Sequence, residues 1–227
     1  MNKAQLLKGV DLFSALSDAQ IGQVASTAAE QNYKRGQNIV AQSETSDAFF
    51  LIAQGSVKVT ANAVGGREVI LATLGAGDFF GEMALMDGEP RSATVRTVAK
   101  TKLFRIDRES FLKSLRRQPD LALALLAEMS RRLRRADLQI SSLALMRVWG
   151  RVSANILKLV EERRVRTKTQ DAKFISIIHN RPTHKTIAAM SGTTRETVTR
   201  VFKLLVQRGA IAVPGNDLVI LEESLLK

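Results

Sequence analysis

The chain has 227 residues, no cysteine, two histidines and a formal net charge of +12. That length accommodates two domains, and the lack of cysteine excludes disulfides, thiolate catalysis and cysteine–metal centres. No apolar run of about 18 residues occurs, so no membrane partner is expected. The opening MNKAQLLKGVDLFSALSDAQI is broken by acids and polar residues where a signal peptide has its apolar centre, which predicts a cytoplasmic protein. His179 and His184 flank Asn-Arg-Pro-Thr with no acid close by, a poor pattern for a metal site. The charge is uneven. Residues 147–227 carry 15 basic and 7 acidic side chains, against 19 and 15 in residues 1–146. Such asymmetry points to a polyanionic partner for the C-terminal part.

From the N-terminus, residues 4–9 and 18–30 read as short helices around the Val10–Leu16 turn. Ser17 and Gln20 have the spacing of a capping box for the second. From Tyr33 the pattern changes to short apolar runs: Asn38–Gln42, Ala48–Ile52, Ser56–Thr60, Glu68–Leu74, Ala93–Val98 and Lys102–Ile106. Turn signals separate them at Arg35-Gly36, Ser43–Asp47, Gly55, Gly65-Gly66, Gly75–Gly77 and Asp87–Pro90. This density of turns predicts about eight strands in an antiparallel jelly-roll or barrel.

Gly77–Val95, GDFFGEMALMDGEPRSATV, holds residue types suited to a negatively charged, ribose-containing ligand. Glycine lets backbone N–H groups approach a phosphate, and the run Glu82–Met86 can form one helical turn whose start favours an anion. Arg91 offers a planar fork to phosphate oxygens, and Ser92 adds a hydroxyl donor. Glu82 has the wrong sign for phosphate and suits sugar hydroxyls.

Asp107-Arg-Glu-Ser-Phe opens a helix that ends near Gln118-Pro119. A longer helix follows, from Leu121 to about Leu145. Along it Leu126, Leu133 and Ile140 recur every seven residues, with Met129, Ala136 and Leu143 three positions later. This a/d seam, beside the charged Arg131–Arg135, favours a two-stranded homodimer over packing on the chain's own barrel. The seam stops at Leu145–Arg147, the expected hinge. Helix Val148–Glu162, a basic loop RRVRTKTQD and a strand Lys173–Ile178 come next.

Thr183 can cap a helix through Met190, Ser191-Gly192-Thr193 forms a turn, and Thr194 can cap a second helix to about Gln207. Ile187, Ala188, Val198, Val201, Phe202 and Leu205 share one face, the helix-turn-helix pattern. The other face carries Arg195, Glu196, Thr199, Arg200 and Lys203. Arginine binds guanine O6 and N7 together, and glutamate accepts from cytosine N4. Asn216-Asp217 between Ile211–Val213 and Leu218–Leu221 gives a hairpin, so the unit is winged.

Two motifs, G-E-x-A-L…P-R-S-A and SGTTRETVTRVFKLLVQRGAI, resemble the catabolite activator (cAMP receptor protein / fumarate-nitrate regulator) family of transcription regulators. The resemblance runs from about Leu12 to Leu221. It implies an α+β chain with three parts: an N-terminal cyclic-nucleotide-binding jelly-roll β-barrel (1–118), a long dimerisation helix with its hinge (119–146) and a C-terminal winged helix-turn-helix (147–227). On this resemblance Gly81, Glu82, Arg91 and Ser92 hold the ribose and cyclic phosphate, and Arg132 reaches the sugar–phosphate region. Arg195, Glu196 and Arg200 read base edges, with Thr183, Thr194, Thr199 and Lys203 completing the expected DNA contacts. The implied partners are a second copy of the chain, a palindromic double-stranded operator and RNA polymerase. The implied effector is cAMP or cGMP. No cofactor and no enzymatic activity are expected.

The base-reading positions depart from the family pattern. Where the cAMP-responsive member has a strand serine, this chain has Ala72. Where that member has a threonine and serine that bond adenine, this chain has Ala136 and Asp137. Asp137 suits a guanine amino or imino group, or a salt bridge to an arginine of the partner helix. Cyclic di-GMP control, or action without a ligand, is therefore the alternative reading.

Overall fold

The computed structural model describes residues 3–45, 47–62, 68–163, 165–168 and 174–226. The predicted turn at Gly65-Gly66 and Lys173 of the predicted strand lie outside them. The chain divides into two compact units, Met1–Arg135 and Ala136–Lys227, with the division falling inside one helix.

In the first unit, α1 (Lys3–Lys8) and α2 (Asp18–Thr27) flank a 3₁₀ turn at Asp11–Phe13. Ser17 caps α2 in a full capping box with Gln20. The helix stops at Thr27, three residues short of the predicted end, because Ala29–Tyr33 forms a strand, β1. Then come β2 (Asn38–Val40), β3 (Ala48–Gln54), β4 (Ser56–Asn62), β5 (Glu68–Gly75), β6 (Phe79–Phe80), α3 (Glu82–Asp87), β7 (Thr94–Thr97) and β8 (Thr101–Asp107). They build two four-stranded antiparallel sheets, ordered β1-β8-β3-β6 and β2-β7-β4-β5.

β3 shows why the sheets face each other. Its run Ala-Phe-Phe-Leu-Ile is buried on both faces. Successive strand residues point to opposite sides. Phe50 and Ile52 therefore pack with Val40, Val57, Leu74 and Val95 between the sheets. Phe49 and Leu51 pack outward with Leu7, Phe13, Ile21, Phe111 and Leu121 under the helices. Two of those helices are α4 (Arg108–Arg117), capped by Asp107, and α5 (Pro119–Leu145). Leu121 and Leu125 anchor the start of α5 in this core.

The second unit contains α6 (Val148–Arg163), β9 (Val165–Lys168), β10 (Phe174–Ile178), α7 (His184–Ser191), α8 (Arg195–Gln207), β11 (Ile211–Ala212) and β12 (Leu218–Ile220). Part of the predicted basic loop is β9, which pairs antiparallel with β10. A four-stranded sheet of order β11-β12-β10-β9 lies with the three helices. Val152, Ile156, Ile187, Val198, Phe202, Leu205 and Ile220 are buried in their shared core. Gly192, at φ +60°, ends α7 in the left-handed conformation that glycine adopts without strain. Among the described residues no helix is long and apolar enough to cross a membrane.

Candidate functional site

β6 leads directly into Gly81, the N-cap of α3, at φ +90°. A Cβ built there would lie 2.6 Å from Arg91 Nη1 and 2.8 Å from the Ala48 carbonyl oxygen. Only glycine lets the arginine come this close. Arg91 Nη1 donates to the Gly81 carbonyl at 2.7 Å, and Nη2 donates to the Ala48 carbonyl. Its guanidinium also lies 6.0 Å over the Phe50 ring. Burial pulls the Arg91 pKa down, against the pull of Glu82 and Asp47, and a guanidinium in this setting stays charged. Ser92, the next residue, is exposed, and its hydroxyl lies 3.9 Å from Met83 Sδ.

Glu82 is 4% exposed. Arg132 Nη1 donates to its Oε1 at 3.1 Å, while Oε2 is buried without a hydrogen-bond partner. Burial raises the Glu82 pKa, and the charges of Arg132 and Arg91 only partly offset it. Arg132 is held on all sides. Nη2 donates to the Phe79 carbonyl at 2.6 Å, Nε donates to Glu128 at 3.2 Å, and the guanidinium stacks 4.5 Å over the Phe79 ring. Glu128 also accepts from Arg131 at 2.7 Å and Arg135 at 2.6 Å. Burial acts to raise the Glu128 pKa, but the hydrogen bonds from Arg131 and Arg132 and the arginine charges bring it below the usual value.

Gly81, Glu82, Arg91 and Arg132 thus form one cluster of alternating charge, with Ser92 adjoining it. Ala136 and Asp137 follow on α5, both exposed, and neither belongs to the hydrogen-bonded cluster. Glu128 and the Phe79 ring and carbonyl were not among the expected site residues. Glu128 was legible as an i,i+4 partner of Arg132, whereas the Phe79 contact crosses from sheet to helix and leaves no mark in local spacing.

In the second unit, Thr183 and Thr194 cap α7 and α8 by accepting from the amides of Thr186 and Thr197. Arg195, Glu196, Thr199, Arg200 and Lys203 are all exposed on α8, at spacings that share one face. Their opposite face buries Val198, Val201, Phe202 and Leu205. The Glu196 pKa is lowered by its own backbone amide, by the Thr194 hydroxyl and by Arg195 and Arg200, so it presents a carboxylate. The wing is tied down at its tip. His179 Nδ1 lies 2.9 Å from Asp217 Oδ2, and the Asn180 amide donates to Oδ1 of the same residue. His184, set aside as a metal ligand, touches Thr199 instead. Among the described residues no cluster of His, Asp and Glu is suited to a metal ion.

Comparison with known proteins finds a match for each half of the chain. The family model for the cyclic nucleotide-binding domain matches residues 30–118, and that for the Crp-like helix-turn-helix domain matches residues 150–227. The cyclic AMP receptor protein of Thermus thermophilus is 34% identical over 97% of this chain and 97% of its own length. The cAMP-activated global transcriptional regulator CRP of Escherichia coli is 31% identical over 83% of this chain and 87% of its own. Among solved structures, the Thermus thermophilus catabolite activator protein aligns with TM-score 0.55 at 33% identity, covering 95% of this chain and 96% of that one. The c-di-GMP responsive global regulator CLP of Xanthomonas campestris shares the fold, with TM-score 0.79 at 22% identity over 90% of this chain and 99% of that one. With a cyclic-nucleotide-binding domain ahead of a Crp-like helix-turn-helix, this chain belongs to the cyclic AMP receptor protein (catabolite activator) family of transcription regulators.

Proposed function

We propose that this protein is a homodimeric, sequence-specific DNA-binding regulator that responds to a cyclic nucleotide, cAMP or cGMP, held at Gly81, Glu82, Arg91, Ser92 and Arg132. The observation that carries the reading is the buried Glu82 carboxylate, whose second oxygen has no hydrogen-bond partner. A buried unpaired acceptor costs about 1–3 kcal/mol, and a sugar hydroxyl would satisfy it. That oxygen is covered in this conformation. Arg132 occupies the neighbouring oxygen. Arg91 and the small Gly81 suit the cyclic phosphate.

Dimerisation follows from α5. Leu126, Leu133, Ile140 and Leu143 are 61%, 64%, 63% and 45% exposed in the single chain. Each leucine or isoleucine taken from water contributes about 1.5–3 kcal/mol, and a second copy of the same seam covers them. A two-fold dimer presents two copies of α8 to half-sites one DNA turn apart, with Arg195, Glu196 and Arg200 on base edges. RNA polymerase is the further partner we assign, and the cytoplasm the compartment.

A second reading keeps the DNA function and changes the effector to cyclic di-GMP, or dispenses with one. Ala72 is half-buried on β5, and Ala136 and Asp137 lie exposed on α5. None of the three supplies the hydroxyl that adenine would take. Calorimetric titration with cAMP, cGMP and cyclic di-GMP separates the readings. Selective binding of cAMP or cGMP that tightens operator binding supports the first, and binding of cyclic di-GMP alone supports the second.

A further inference from the structure

One side-chain contact bridges the turn between α7 and α8 and serves neither cap nor core. His184 Nδ1 lies 2.9 Å from Thr199 Oγ1. The same hydroxyl donates to the Arg195 carbonyl, one helical turn back, at 2.9 Å. A hydroxyl carries a single proton. With that proton on the Arg195 carbonyl, Nδ1 must be the protonated ring nitrogen, and it donates to Thr199. The tautomer leaves Nε2 bare, and Nε2 is the atom buried without a partner. The imidazole is packed 4.7 Å from the buried Phe202 ring, and the Arg181 guanidinium lies 5.7 Å from the same ring.

These two hydrogen bonds limit what Thr199 can offer. It is exposed on the face that carries Arg195, Glu196 and Arg200, but its proton is committed and one lone pair is occupied. It has no hydrogen to give to guanine O6 or N7 or to thymine O4. Its γ-methyl remains, with one lone pair that can only accept. We propose that Thr199 recognises thymine by contact with the C5 methyl group, and that His184 is the positioning residue that fixes the hydroxyl and so presents the methyl. The inference rests on α8 being the DNA-reading helix. It adds which base one residue selects and by what chemistry.

The test selects duplexes from a random-sequence pool with the full-length wild-type dimer and its nucleotide, then replaces each thymine by deoxyuridine, which removes only the methyl. At one symmetric pair of positions the replacement weakens wild-type binding about fourfold per half-site, the value of one buried methyl. Thr199→Val keeps a methyl but drops the hydroxyl that His184 fixes, so it lowers the ratio as His184→Ala does without bringing it to one. Thr199→Ser brings it to one. His184→Ala lowers the ratio, and His184→Gln, which still carries an N–H donor, restores it; a general loss of folding would move both duplexes together. A ratio of one at every thymine, or a ratio that survives in Thr199→Ser or disappears in Thr199→Val, overturns the inference alone. Failure to select any duplex overturns the DNA-reading function and the inference with it.

Discussion

Arg132 spans two carboxylates, with Nη1 3.1 Å from Glu82 Oε1 and Nε 3.2 Å from Glu128 Oε1. The long helix α5 therefore reaches the Gly77–Val95 stretch, the ligand cassette, through one guanidinium. A ligand that takes the second Glu82 oxygen would share this carboxylate with that same group. A family of two-state regulators needs such a shared contact, because an effector shifts an equilibrium only by binding one state better than the other.

Glu82→Gln removes the charge while keeping the shape. Nucleotide affinity should fall about 10-fold or more, since a hydrogen bond to a charged group contributes about 1.5–3 kcal/mol. Stability without nucleotide should move the other way. The folded Glu82 pKa is raised from 4.5, so its contribution is full below that value and is lost as pH rises through the folded pKa. The variant lacks this loss. Thermal melts of both proteins from pH 4 upward should show Glu82→Gln gaining on the wild type as pH increases; a constant offset would remove desolvation as the dominant cause.

Gly81 and Gly88 make an internal control for the cassette. Both are left-handed, at φ +90° and +76°, but an added Cβ at Gly88 meets nothing within 4 Å. Gly88→Ala should cost about 1–2 kcal/mol of backbone strain and leave nucleotide affinity nearly unchanged. Gly81→Ala adds contacts of 2.6 Å with Arg91 and 2.8 Å with the Ala48 carbonyl. Nucleotide binding should be lost in calorimetry, and equal behaviour of the two variants would show that the close approach of Arg91 has no part in the site.

The seam on α5 predicts oligomeric state directly. Replacing Leu133 and Ile140 by glutamate places like charges opposite each other across the two-fold seam. Sedimentation equilibrium should then show monomer at concentrations where the wild type is dimeric. Operator affinity should collapse with it, because one recognition helix reads one half-site. An undisturbed dimer would move the interface elsewhere on the chain.

Arg195→Ala and Glu196→Ala each remove a predicted base contact from an exposed position. Each should weaken operator binding by about 1–3 kcal/mol and relax preference at one base pair. Nucleotide titrations should be unchanged. Loss of nucleotide binding together with DNA binding would mean that the substitutions had damaged more than the reading face.

What the sequence made legible was local or carried by motif. The Ser17–Gln20 capping box, the helix caps Thr183 and Thr194, and the apolar face of α8 all depend on residues within a turn or two of each other. Gly81, Glu82 and Arg91 stand out in the sequence because their types and spacing match a known pattern. The partners that hold them were not visible. The Ala48 carbonyl that takes Arg91 Nη2 is 43 residues away, and the Phe79 carbonyl that takes Arg132 is 53 away. β1 was missed for a related reason. Ala-Glu-Gln-Asn-Tyr has no apolar alternation, and it becomes a strand through its register with β8, from Ala29↔Arg105 to Tyr33↔Thr101. His184 looked idle because its partner, Thr199, lies in the next helix.

His184 gives the winged unit a pH dependence with a definite sign. Burial lowers its pKa from 6.5, and the nearby charges of Arg181 and Arg195 act in the same direction. The unfolded chain therefore binds a proton more readily than the folded one. Stability from this group is complete above about pH 6.5 and is lost as pH falls toward and through the folded pKa. Protonating the folded form would also place an N–H at Nε2, where no acceptor waits. Melting the intact protein between pH 5 and 8 should show the transition of the DNA-binding unit moving to lower temperature as pH falls below 6.5. His184→Gln should flatten that slope. A slope that survives in His184→Gln would assign the effect to another group and leave the His184–Thr199 contact without a role in stability.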